Sequence, residues 1–130
     1  MRALILALSL LPLAALAETA PMTGAEFEAY ATGKTLTYAD RGEVFGTEEY
    51  LPGRRVRWAF TGEQCRIGHW YEQDQAICFV YEDLTEPQCW EFRHGPSGMT
   101  ARFLGESGTE LSEVAQSDTP LACAGPDIGV

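Results

Sequence analysis

The sequence predicts a mainly β protein, a single antiparallel meander or partly closed barrel with one short N-terminal helix and two disulfides. Apolar and polar residues alternate with a period of two from Lys34 onward, as expected for strands with one buried face. Glycine, proline and aspartate separate these segments at short intervals. The chain also holds four cysteines behind an apparent export signal, a combination typical of small disulfide-braced domains.

Residues 1–17 are predicted to be a signal peptide. Arg2 precedes an apolar run over residues 3–11, Pro12 interrupts it, and Ala15 and Ala17 are the small residues that signal peptidase requires. The run is short for an uncut membrane anchor. We therefore expect residues 18–130 to form one domain that is periplasmic or secreted, with no membrane span after cleavage.

A short helix is expected over residues 23–32. Thr23 can act as its N-cap, with Glu26 three residues later as the capping-box partner. Gly33 is a natural stop. Because the helix has only about two turns, its apolar side, which includes Phe27, must dock on the rest of the domain for the helix to persist.

Seven segments have strand character within a β region that extends from about residue 35 to about 116. The tail over residues 117–130 has little pattern, and Cys123 is the residue expected to hold it to the domain. The segments are residues 35–38, 44–51, 54–60, 67–72, 76–82, 88–93 and 99–104.

Alternation within three of these segments places aromatic side chains on one face of the sheet and mixed or charged side chains on the other. The residues expected to share the aromatic face are Val56, Trp58, Phe60, Ile77, Phe79, Tyr81, Trp90 and Phe92.

The disulfide pairing follows in part from these faces. If segments 76–82 and 88–93 form a hairpin with Cys78 opposite Cys89, then Ile77 faces Trp90 on the apolar side, so the two registers agree. We favour Cys78–Cys89 with Cys65–Cys123 over the two other pairings. Zinc-type or redox-type CxxC spacing is absent from the sequence.

The stretch over residues 22–92 resembles known proteins. Its landmarks are MTGAEFEAYATGKTLTY, YLPGRRVRWAF, GHWYEQDQAICFVYE and PQCWEF. It resembles small exported alphaproteobacterial proteins of unknown function. The order and spacing of Gly68-His69-Trp70, Cys78-Phe79 and Cys89-Trp90 are also similar to those of lipocalin-like secreted β-domains. The resemblance implies a β fold and export, and it brings no catalytic residue.

The charge of the chain narrows the classes of partner. The net charge is −10, and loss of Arg2 with the leader leaves −11. Such a charge repels phosphate backbones and anionic lipids, so we expect no nucleic-acid partner. We also expect no cofactor and no metal site, since the sequence contains no GxSxG, HExxH or P-loop pattern.

Two arginines form a candidate site for an anion. Arg55 and Arg57 should project from one face of a strand and could bind a carboxylate or sulfate group. The alternative, which we favour, is cross-strand ion pairing with glutamates such as Glu48, Glu49 or Glu72.

The aromatic residues Trp58, Trp70, Phe79 and Trp90 are candidate ligand-binding residues. Their rings could line a ligand cavity or a platform on which a sugar stacks. Most aromatic residues of a small domain instead form its core, and we expect that for the majority.

The sequence favours a non-enzymatic binding module in the cell envelope, with a small molecule, a glycan or an envelope protein as its partner. The alternative is a secreted inhibitor of a hydrolase, such as a protease or lysozyme. A third hypothesis is an enzyme that acts through His69 or His94. A binding module predicts a cavity lined by aromatic residues, whereas an inhibitor predicts a filled core and a protruding loop over residues 93–99.

Overall fold

The computed structural model describes residues 19–123, so the predicted signal peptide and residues 124–130 lie outside the described part of the chain. The elements, in chain order, are α1 Gly24–Ala31, β1 Thr35–Asp40, β2 Glu43–Leu51, β3 Arg55–Phe60, β4 Arg66–Gln73, β5 Ala76–Tyr81, β6 Gln88–Gly95, β7 Gly98–Phe103 and β8 Glu110–Ser117.

The eight strands form a closed antiparallel barrel. Each strand pairs with the next one along the chain, and β8 returns to pair with β1. The expectation of a mainly β meander or barrel with a short helix and two disulfides is therefore confirmed, and the barrel closes fully. In residues 19–123, no helix is long and apolar enough to cross a membrane.

The eighth strand was not among the segments expected from the sequence. In β8, Leu111 and Glu113 are buried and the residues between and beside them are exposed. A glutamate therefore occupies an inward position, and Val114 on the outer face is 55% exposed. This reversal weakens the apolar alternation on which strand prediction depends.

Two hairpin turns explain how the strands reverse tightly. The β1–β2 connection is Arg41-Gly42, with φ values of 48° and 86°. The β4–β5 connection is Asp74-Gln75, with φ values of 49° and 65°. Positive φ at both central residues is the type I′ pattern, which matches the twist of the flanking strands.

A β-bulge interrupts the pairing of β1 with β2. Tyr38 pairs with Gly46 and Ala39 pairs with Val44, which leaves Phe45 as the extra residue. A Cβ atom at Gly46 would clash with the Trp58 indole, so only glycine fits beside that ring. The bulge makes Phe45 a half-buried residue that packs against the core.

Helix α1 closes one end of the barrel, which we call the closed end. The Glu26 amide donates to the Thr23 hydroxyl and the Thr23 amide donates to the Glu26 carboxylate, each over 3.1 Å, so the predicted capping box is present. The Met22 amide donates to the Phe92 carbonyl over 2.7 Å, and the Gly33 amide donates to the Tyr50 carbonyl over 2.8 Å. These bonds fix both ends of the helix to strands.

Phe27 is the residue of α1 that fills the closed end. It is fully buried, and its ring centroid lies 4.6 Å from that of Phe92, 5.1 Å from Trp70, 5.4 Å from Tyr50 and 6.3 Å from Phe79. The ring is therefore enclosed by residues of β2, β4, β5 and β6. Burial of such a side chain is the main stabilising contribution of a helix too short to persist alone.

Both disulfides have the predicted pairing. Cys78 and Cys89 lie directly opposite each other on β5 and β6, and Ile77 is paired with Trp90 as the registers require. Cys65, in the β3–β4 loop, is joined to Cys123 with a Cα–Cα distance of 5.3 Å.

The second disulfide holds the tail against the barrel. We call residues 118–123 the strap. It leaves β8 at the closed end, where the Thr35 hydroxyl donates to the Thr119 carbonyl over 2.7 Å. It then passes β2, where the Leu121 amide donates to the Glu49 carboxylate over 2.8 Å, and ends at the Cys65 bridge. The strap thus links the two ends of the barrel.

Candidate functional site

A cavity of about 110 Å³ lies inside the barrel at the end opposite α1. This open end carries the β3–β4, β5–β6 and β7–β8 loops. We call the cavity the cup. Its lining residues are Tyr38, Phe45, Glu48, Tyr50, Trp58, Phe60, Arg66, Phe79, Tyr81, Gln88, Trp90, Phe92, Ala101 and Leu111.

Aromatic rings form most of the wall near the mouth of the cup. Phe45, Trp58 and Phe60 surround one side, with centroid separations of 5.9 Å for Phe45–Trp58, 5.3 Å for Phe45–Phe60 and 5.4 Å for Trp58–Phe60. Trp90 contributes a half-buried indole from β6. The three rings are tilted or edge-to-face relative to one another, as is usual for packed aromatic side chains.

The floor of the cup is the side of the aromatic cluster around Phe27 that faces the open end of the barrel. Tyr50, Phe79 and Phe92 contact Phe27 and also line the cavity. The same three residues thus seal the closed end and shape the bottom of the cup, so the helix contributes indirectly to its depth.

Glu48 is a buried acid in the lining of the cup. It is 1% exposed, and both oxygens of its carboxyl group lie near the Tyr81 hydroxyl, at 3.0 and 3.3 Å. Burial raises the pKa of Glu48 well above its usual range, because a charge is poorly solvated there, and the hydrogen bond from Tyr81 offsets part of that rise.

Two further tyrosines complete the polar part of the lining. The hydroxyls of Tyr38 and Tyr50 are 2.8 Å apart and share a hydrogen bond. Burial raises the pKa of both groups well above the usual value for tyrosine, so both stay neutral at ordinary pH. The cup therefore combines apolar walls with a few convergent polar groups, the usual composition of a small-molecule site.

Arg66 and Gln88 lie at the mouth, each at the first position of its strand. The Arg66 guanidinium is 3.1 Å from the Asp83 carboxylate and 5.3 Å from the centre of the Phe60 ring. Its charge is therefore matched by a loop carboxylate.

The structure brings together three of the aromatic residues that the sequence singled out. Trp58, Phe79 and Trp90 all line the cup. Trp70 does not; it is 3% exposed at the closed end, with the Arg54 guanidinium 4.5 Å from its ring on one side and Phe27 on another. Its surroundings indicate a packing role.

Arg55 and Arg57 do not line the cup. Arg57 pairs with Glu49, its Nε and Nη2 atoms lying 3.1 and 2.5 Å from one carboxylate oxygen, which also accepts the Leu121 amide. Arg55 is exposed and donates to the Pro52 carbonyl over 3.2 Å. Of the expected glutamate partners, Glu49 is thus the one that Arg57 uses, and an anion site at these arginines stays a prediction.

The two histidines lie away from the cup. His69 and His94 are both exposed, and the His94 ring lies 4.7 Å from that of Tyr30 on α1. Within residues 19–123, no group of three or more His, Cys, Asp or Glu side chains lies close enough to hold a metal ion.

The polar groups of the cup were missed by sequence reasoning. Glu48 was considered only as a surface partner of arginine, although it shares the parity of Tyr50 in the same segment. The decisive information is the register, which pairs Glu48 with Trp58 and so turns both side chains inward. The bulge at Phe45 affects only the pairing of β1 with β2, and the β2–β3 register runs without interruption.

Comparison with known proteins gave no match to a family model, to a curated protein or to a solved structure. The resemblance to small exported alphaproteobacterial proteins and to lipocalin-like domains therefore stays a prediction.

Proposed function

We propose that this protein is a non-enzymatic binding module of the cell envelope or its surroundings that takes a small molecule into the cup. The observation that carries the proposal is the cavity itself: a β-barrel with one end filled by a helix and the other left as an aromatic-walled cavity. The mouth of a barrel is a preferred place for small-molecule sites.

The size of the cup suits the recognition of a small ligand or of one group of a larger one. A dry engineered cavity of about 150 Å³ accommodates benzene. The 110 Å³ of the cup therefore fits a group somewhat smaller than one ring, with the rest of the ligand among the half-buried residues of the mouth.

The alternative function is inhibition of an envelope or extracellular hydrolase. That hypothesis requires a filled core and a protruding loop over residues 93–99. The core contains a cavity, and residues 93–95 and 98–99 are paired in the β6–β7 ladder, which leaves only Pro96-Ser97 as a turn.

Export to the periplasm or beyond is part of the proposal, and the two disulfides are compatible with it.

The test is to purify the mature protein from its native envelope without denaturation and to identify by mass spectrometry what it releases on unfolding. A small molecule retained by the wild type and lost from a Trp58→Ala, Trp90→Ala variant supports the cup. Recovery of a hydrolase in stoichiometric amount, with no small molecule, overturns the proposal in favour of inhibition.

Tryptophan emission gives a second measurement with a control inside the chain. A ligand in the cup should change the emission of Trp58 and Trp90, which line it, and leave that of Trp70, which lies at the closed end. A Trp70→Phe variant should therefore keep the full response, whereas a Trp58→Phe, Trp90→Phe variant should lose it. The reverse pattern would contradict binding in the cup.

A further inference from the structure

Glu48 lines the cup and, within residues 19–123, has no cationic partner. Of residues 19–123, only Tyr81 donates a hydrogen bond to its carboxyl group, and none forms an ion pair with it. A carboxylate accepts about four hydrogen bonds. Acceptor capacity is therefore available on the side that lines the cup.

The other charge in the lining is already matched. Arg66 is the one cationic residue among the lining residues in the described chain, and Asp83 neutralises it at the mouth. Glu48 is thus the ionisable group of the cup for which residues 19–123 supply no oppositely charged partner. A ligand complementary to this site carries a positive group, because a second anion would be repelled by an ionised Glu48.

The walls fit the same kind of ligand. The faces of aromatic rings carry negative potential and attract cations within about 6 Å, most strongly at tryptophan. Trp58, Phe45 and Phe60 lie together on one side of the mouth, and Trp90 adds a second indole. A site with the buried carboxyl group of Glu48 and aromatic walls at its mouth suits an organic cation that has an apolar body.

We infer that the cup binds a small protonated amine, whose ammonium group bonds to the Glu48 carboxylate while its apolar body lies among Phe45, Trp58 and Phe60. The inference rests on the proposed binding function and specifies its ligand class. An amine with N–H donors suits the site better than a quaternary ammonium, because the hydroxyl oxygens of Tyr38 and Tyr50 also accept hydrogen bonds.

Burial of the Glu48 carboxyl group lowers the stability of the folded protein without a ligand. Since burial raises the pKa of Glu48, the empty cup holds its proton to higher pH than an exposed glutamate does. A bound ammonium favours the ionised form, so binding releases a proton. The other ionisable groups at or near the cup are Tyr38, Tyr50 and Tyr81, whose pKa values are raised, Arg66, and Glu113 beyond Tyr38.

The experiment compares three probes of matched shape on the wild-type protein: benzylamine, benzyl alcohol and benzoate. Calorimetric or fluorescence titration should find benzylamine the tightest, on the order of 10- to 100-fold over benzyl alcohol, as expected for a charge-assisted hydrogen bond. Benzoate should be the weakest. Equal or tighter binding of benzyl alcohol or benzoate would overturn the amine inference.

Two buried acids give a matched pair of variants. Glu48→Gln should reduce benzylamine affinity by a similar factor and leave benzyl alcohol affinity unchanged. Glu113→Gln should change neither, because Glu113, although 8% exposed, does not line the cup and accepts from the Tyr30 hydroxyl and the Met99 amide. Retention of benzylamine affinity by a folded Glu48→Gln variant would contradict the inference.

The dependence on pH needs no variant. Below the pKa of Glu48 in the empty protein, benzylamine affinity should rise about tenfold per pH unit, because one proton is released on binding. Benzyl alcohol affinity should stay flat, and a flat benzylamine profile would reject the role of Glu48.

The two proposals fail in different ways. If benzyl alcohol or benzoate alters Trp58 and Trp90 emission and benzylamine does not, the binding module stands and the amine is wrong. If none of the three probes binds and the native protein carries no small molecule, both proposals are wrong.

Discussion

The two ends of the barrel are built from the same strands but differ in what fills them. At the closed end, Phe27 of α1 occupies the centre and is surrounded by four aromatic rings. At the open end, the corresponding space is a cavity whose lining includes a buried acid. One end is packed as a protein core is normally packed, and the other is not.

Under the proposed function, this difference separates the stabilising end of the domain from its binding end. A cavity reduces stability, as does a buried acid with no ion-pair partner among residues 19–123. The closed end, the two disulfides and the strap supply the stability that permits them. The comparison can be tested by changing each end in turn, and by changing the strap that joins them.

Phe27→Ala should have the largest effect. Removal of a fully buried phenylalanine typically costs about 3–5 kcal/mol. Phe45→Ala, at the half-buried mouth, is the matched control and should cost distinctly less. Urea unfolding followed by circular dichroism measures both free energies of unfolding. An equal or larger loss for Phe45→Ala would mean that the open end is as tightly packed as the closed one.

Loss of the strap disulfide should come next. Replacement of Cys65 and Cys123 by alanine removes a link with a sequence separation of 58, against 11 for Cys78–Cys89. The chain-entropy account gives about 4 kcal/mol for the first and about 3 kcal/mol for the second.

Hydrogen exchange adds a local measurement on the same pair of variants. The Leu121 amide, which donates to Glu49, should lose protection when Cys65–Cys123 is removed and keep it when Cys78–Cys89 is removed. Unchanged protection of Leu121 would show that the strap is held by its hydrogen bonds alone.

The smallest effect is the dependence of stability on pH through Glu48. Because the pKa of Glu48 is raised in the folded protein, its contribution is neutral below the ordinary value of 4.5 and becomes unfavourable as the pH rises toward the folded-state pKa. Wild type should therefore lose stability relative to Glu48→Gln over that window, by at most about 1.4 kcal/mol per pH unit.

Glu91 on the outer face is the control for this titration. Burial acts to raise the pKa of Glu91, but hydrogen bonds from Arg102 and Arg93 outweigh it and lower the pKa overall. Its favourable contribution is present above the ordinary glutamate value and is lost in acid, so Glu91→Gln should show the opposite slope. The same slope for both variants would contradict a raised pKa for Glu48.

Local signals in the sequence predicted much of the fold. The capping box of α1, the inward faces of β3, β5 and β6, and the pairing of Cys78 with Cys89 all depend on residues close together in the chain or on simple alternation. Such features are fixed by short-range geometry. Closure of the barrel does not follow from local signals, because it depends on the pairing of β1 with β8, which are far apart in sequence.

The candidate site was predicted only in its apolar part. Trp58, Phe79 and Trp90 follow from alternation. Trp70 is paired with Phe79 on the neighbouring strand, yet its ring packs against Phe27 and does not line the cup, a difference that alternation does not encode. Glu48 was overlooked because an acid is expected at the surface. Its inward position results from the register of β2 with β3.

Closure of the ladder from β1 to β8 also limits how this protein can meet other chains. Each of the eight strands has a hydrogen-bonded neighbour on both sides, so the described barrel offers no free sheet edge on which an extended peptide could add a strand. Self-association by strand exchange is disfavoured for the same reason. Another protein that contacts the described barrel must therefore do so without adding a strand to its sheet.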